Sequence, residues 1–91
     1  MRLTKELLVE TYCLTKGDAW EKEVKDRQAL VYDIMDRATD ILNNGREGQI
    51  LQPFQLEYLQ CLRSRLQDHV IAQNGHAQEW LRLFNEAYAA G

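Results

Sequence analysis

Residues 18–43, DAWEKEVKDRQALVYDIMDRATDILN, decide the fold. Trp20, Val24, Val31, Ile34, Ala38 and Ile41 recur at spacings of four and three, interrupted at Arg27. At 100° per residue they form one stripe on a helix, with Met35 and Leu42 on its flank. Lys22, Asp26, Asp33, Asp36, Arg37 and Asp40 take the opposite side. A strand would alternate instead, and this stretch does not. Asp18 with Glu21 three residues later makes a capping box for its start. Asn44-Gly45 is a stop signal for its end.

The same punctuation extends outward. Thr4 to Lys16 reads as a first helix, closed by Gly17. Gly45 to Gln52 is a loop with two glycines, in which Gly45-Arg46-Glu47-Gly48 is a turn and not a phosphate cradle. Pro53 suits a first helical position, where its missing N–H costs nothing. The third helix is expected to run from there to Gln73, with Phe54, Tyr58, Leu59, Leu62, Leu66, His69 and Val70 on one broad face. Asn74-Gly75 stops it, and a fourth helix from about His76 to Ala90 gathers Ala77, Trp80, Leu81, Phe84, Ala87 and Tyr88. The expectation is one all-α domain over 1–91. Two long central helices form an antiparallel hairpin, with shorter N- and C-terminal helices packed on it.

The 91 residues suit a single core. A folded monomer of 10.7 kDa exposes about 5,500 Å² of the roughly 15,500 Å² its open chain offers. A second helix of about 25 residues would be near 37 Å long and the third near 31 Å. A globule of this size is about 31 Å across. The longest helix therefore overruns it, so the molecule is either elongated or covered by a second chain. The first helix favours a homodimer. Leu3, Leu7 and Leu14 make a stripe, Leu8 and Tyr12 lie beside it, and Val9 and Cys13 fall on the far side. A helix apolar nearly all round asks for burial on more than one face. Ile71, on the polar face of the third helix opposite Leu62, either points the same way or contacts the fourth helix.

The chain carries 14 acidic and 11 basic residues, a net charge of −3. That balance disfavours nucleic-acid binding, which needs a basic surface. The densest basic cluster, Arg63-Ser64-Arg65 with Arg82, is too thin to track a phosphate backbone. No apolar run is long enough for a signal peptide or a membrane span. Two cysteines 48 positions apart, without CxxC spacing, fit neither a disulfide scaffold nor a zinc site, and a reducing cytoplasmic setting follows.

Candidate chemistry is sparse. Asp33, Asp36 and Asp40 share a helix face, but a metal site would need facing carboxylates from a second helix. Elsewhere acids are scattered, at Glu6, Glu10, Glu57 and Asp68. With Asp26, this stripe reads as an acidic face for a basic partner. Arg27 interrupts the apolar stripe, so its guanidinium snorkels, pairs locally, or makes a polar contact at a dimer seam or pocket. His69 reads as a core histidine with one hydrogen bond. His76 helps begin the fourth helix, and with Glu79 three residues on it has metal-sharing spacing but no third ligand. Cys13 and Cys61 lack an activating base. Trp20 and Tyr88, near helix ends, are the aromatic side chains best placed as interface anchors.

The expected function is therefore non-enzymatic, with no catalytic residues, cofactor or metal. A small acidic helical adaptor, inhibitor or chaperone-like factor would dock onto a larger protein. Small acidic proteins of this size are common among phage- and mobile-element-encoded inhibitors of host or defence machinery, an association of size and charge alone. The partner face is Asp26, Asp33, Asp36 and Asp40. The partner or dimer interface is Arg27, Trp20, Val9, Tyr12, Ile71 and Tyr88. The alternatives are a small helical dimeric enzyme with an inter-chain site built from Arg27, His69 and carboxylates, or a nucleic-acid-binding regulator.

Overall fold

A computed structural model describes residues 1–16, 29–67 and 75–91, with the side chains of 29–32 excepted. The described residues form four helices: α1 (Lys5–Thr15), α2 (Ala29–Asn43), α3 (Pro53–Leu66) and α4 (Gly75–Ala89). Among the described residues there is no strand, and one isolated antiparallel bridge joins Arg2 to Ile50. The Gly17 terminator and the Asp18–Glu21 capping box lie outside the described residues.

Local chemistry sets the helix ends. Thr4 caps α1, its Oγ1 accepting from the Leu7 N–H at 3.2 Å. This satisfies one of the four amides a helix start leaves without a carbonyl. Pro53 opens α3, and the Gln55 side chain reaches back to accept from the Gln52 N–H at 2.9 Å. α2 closes with Asn44 donating to the Asp40 carbonyl and Gly45 to that of Leu42. Glycine makes room here: a Cβ on Gly45 would sit 2.5 Å from Leu3 Cδ1, and the leucine side chain would have to shift. Gly48 turns the loop with φ of +83°, a region that favours glycine. Its N–H donates to the Leu3 carbonyl, Leu3 donates to that of Gln49, and Leu51 to that of Met1. The N-terminus is thereby tied to the α2–α3 loop.

α3 ends earlier than its sequence suggests. The Gln67 N–H bonds the carbonyls of both Arg63 and Arg65, a shared bond that closes the last turn. The expected extension through His69 and Val70 to Gln73 lies outside the described residues. At 14 residues, α3 is about 21 Å long and not 31 Å. The molecule measures 33 × 24 × 20 Å, with a radius of gyration of 12.1 Å. The overrun expected of α2 depends on residues 18–28, outside the described set.

α2 packs most extensively on α3 and α1 on α4, with lesser α1–α2 and α3–α4 seams. Their shared core holds Leu3, Leu7 and Leu14, then Met35, Ala38 and Leu42, then Leu59, Leu62 and Leu66, and finally Ala77, Trp80 and Phe84. Two expectations need correction. On α2 the buried line is Met35–Ala38–Leu42, while Ile34 and Ile41 are half-buried on its edge. The helix is turned by less than one residue step from the expected stripe. Phe54, expected in the core, is 60% exposed, in the first turn of α3 and on the groove side of the helix.

Polar groups stitch the core where apolar packing alone is expected. Thr11 is fully buried on α1. Its Oγ1 donates to the Leu7 carbonyl at 2.7 Å and accepts from Trp80 Nε1 at 2.9 Å. On α4, Trp80 stacks on Phe84 with ring centroids 5.0 Å apart, and Phe84 on Tyr88 at 6.0 Å. Arg63 lays its guanidinium over the last two rings, 5.4 and 5.5 Å from their centroids, a cation–π geometry.

Candidate interaction surface

The acidic face of α2 and the outer seam between α2 and α3 form one continuous surface. Asp33 and Asp40 are exposed and Asp36 is half-buried. Asp33 Oδ2 pairs with Arg37 Nε at 3.2 Å, one helical turn away. The Tyr58 hydroxyl, from α3, accepts a hydrogen bond from Arg37, and that bond with the Asp33 charge holds the guanidinium above its usual range. Among the described residues, no cation is paired with Asp36. Partial burial, and then the neighbouring charges of Asp40 and Asp33, push its carboxyl above the usual carboxylate range.

Beside this stripe runs a groove of about 360 Å³ lined by Ile34, Phe54, Glu57, Tyr58 and Cys61. Its floor is apolar because the α2 face is turned: Ile34, displaced from the core line, lies in the seam opposite α3. Phe54 stands open at one end, and Ile50, in the loop leading into α3, is 64% exposed. The Cys61 thiol is free and exposed. The sequence places Phe54 and Tyr58 on a core face, and only helix packing reveals that they border a groove.

A second apolar exposure lies on α1, where Val9 is 53% and Tyr12 58% exposed. Lys16 reaches over the Tyr12 ring. Tyr88, on α4, is 42% exposed and its hydroxyl accepts from Gln60 Nε2 at 3.3 Å. Of the residues singled out in the sequence, Trp20, Asp26, Arg27, His69 and Ile71 lie outside the described residues. Asp33, Asp36 and Asp40 come together on one face. Val9 and Tyr12 share another.

Several titratable groups of α1 and α4 pair locally. His76 Nδ1 lies 2.7 Å from Glu10 Oε1, bridging α4 to α1; helical periodicity gives no sign of that partner. Glu79, the residue spaced to share a metal with His76, instead bonds Arg82, which also holds Glu86 at 2.9 Å. Arg82 draws the Glu79 carboxyl below its usual range. Among the described residues, no group of three or more His, Cys, Asp or Glu side chains is placed to hold a metal ion. No described helix is long and apolar enough to cross a membrane. No protein-family model matches the chain, and searches of curated proteins and of solved structures find no significant match, so this surface is read from its own chemistry.

Proposed function

We propose that this chain is a small acidic helical interaction protein, an adaptor, inhibitor or chaperone-like factor that docks onto a larger protein and performs no catalysis. The observation that best supports the reading is the groove between α2 and α3, lined by Ile34, Phe54 and Tyr58 with Phe54 60% exposed, next to the acidic face of α2. Single exposed apolar residues are ordinary, but clustered ones around a groove are characteristic of binding surfaces. In the architecture we infer, α2 and α3 are an antiparallel hairpin on which α1 and α4 pack. The extensive α2–α3 packing across a loop of nine residues, with Arg37 bonded to Tyr58, supports that arrangement.

A homodimer belongs to the same proposal, through Val9 and Tyr12 of α1 with Trp20, Arg27, Ile71 and Tyr88. So does a cytoplasmic setting, for which the free thiols of Cys13 and Cys61 speak. The test is affinity purification of the tagged full chain from a lysate of its source, followed by mass spectrometry. The expected result is one co-purifying protein in stoichiometric amount. Recovery of the chain alone would overturn the docking function.

A further inference from the structure

We infer that the α2–α3 groove receives a basic amphipathic helix of the partner, its apolar side chains against Ile34, Phe54 and Tyr58 and its lysines or arginines against Asp33, Asp40 and Glu57. This rests on the docking function proposed above and specifies the chemistry of what docks.

Charge distribution carries the first half. Of the 14 acidic and 11 basic residues, five acids and two arginines lie within 33–61, leaving nine of each sign elsewhere. Residues 33–61 thus carry −3, and Arg63 and Arg65 in the last turn of α3 bring α2, α3 and their loop to −1. Arg37, paired with Asp33 and bonded to Tyr58, offsets one of these acids, so the negative charge in excess beside the groove is that of Asp36, Asp40 and Glu57. Asp36, crowded by Asp33 and Asp40, adds to a negative potential that attracts a cationic segment and repels an anionic one.

Shape carries the other half. From Phe54 to Cys61 the groove follows seven residues of α3, about two helical turns or 10 Å. That length matches the i, i+3/i+4, i+7 anchors of a helix laid into an apolar groove. A strand partner is disfavoured, because the groove walls are helices whose backbone groups are already paired.

The test uses the full chain and two synthetic amphipathic helices of about five turns, one of leucines and lysines and one of leucines and glutamates in the same pattern. The readouts are fluorescence anisotropy of the peptide and the alkylation rates of Cys61 and Cys13, each resolved by mass spectrometry. The Leu/Lys helix should bind, slow alkylation of Cys61 severalfold and leave that of Cys13 unchanged; the Leu/Glu helix should do neither. Phe54→Ser should weaken Leu/Lys binding by about tenfold or more. A combined Asp33→Asn, Asp40→Asn, Glu57→Gln variant should weaken it and flatten its salt dependence. Circular dichroism melts confirm that each variant is folded. Equal protection by both peptides, protection by neither, or binding indifferent to these substitutions would overturn the inference. Concentration-dependent protection of Cys61 without peptide would also overturn it, by placing a second copy in the groove. A lysate partner that is retained by the combined variant and by Phe54→Ser leaves the docking function standing and removes this site from it.

Discussion

Thr11 shows how much one side chain can decide. A buried hydroxyl has one hydrogen to give and lone pairs to offer, and Thr11 uses both, donating to its own helix and accepting from Trp80 of α4. The largest buried ring of the core is thereby fixed in one orientation, and its stack on Phe84 follows. Thr11→Val preserves volume but strands the indole N–H away from water, which costs about 1–3 kcal/mol. Thr11→Ser keeps the bond and gives up one methyl, about 0.8 kcal/mol. Urea denaturation of both should rank valine as the more damaging. The reverse order would mean that packing and not the hydrogen bond holds α1 to α4.

At the scale of elements, α2 sets a stability that depends on pH. The folded state holds the Asp36 carboxyl above its usual range, so between the unfolded and folded pKa values the native state binds the extra proton. Stability therefore falls as pH rises through that window, and the penalty is complete above the folded value and absent below the unfolded one. Asp36→Asn should remove it. Because the group is only partly shielded and salt screens its neighbours, the gain at neutral pH is a few tenths of a kcal/mol, about 0.3, and it should shrink at acid pH. Thermal melts at two pH values and two salt concentrations measure it, and an unchanged or lower melting point for the variant at neutral pH contradicts the account. The same helix shows what its sequence discloses. Helix starts and stops at Thr4, Asn43–Gly45 and Pro53 are local chemistry and were readable, as was the acidic face. Which flank of the apolar stripe meets the core depends on how α2 lies against α3 and α1, so Ile34 and Met35 exchange roles. Phe54 and Tyr58 became groove walls for the same reason. His76 and Glu10 meet from opposite ends of the chain, and no spacing rule connects them.

The whole molecule closes on itself. Its radius of gyration of 12.1 Å matches the value of about 12 Å for a compact chain of this length, and its 5680 Å² surface is close to the scaling value of about 5,500 Å². A second copy is thus not required by the overall dimensions, and the case for a homodimer rests on α1. A standard interface takes about 800 Å² from each partner, one-seventh of this surface. The outer face of an 11-residue helix, about 16 Å long, falls short of that. The seam must extend onto α4, where Leu83 shares a groove with Val9. Val9 and Tyr12 are each more than half exposed, so replacing both with serine should change monomer stability by no more than about 0.5 kcal/mol per site. Dimer affinity should fall steeply. Sedimentation velocity at tens of micromolar should give about 21 kDa for the native chain, twice the 10.7 kDa protomer, and the protomer mass for the double variant. Phe54→Ser should sediment as the native chain does, because its groove faces a different partner. A native chain that sediments at the protomer mass removes the homodimer and leaves the α1 face as a second docking surface.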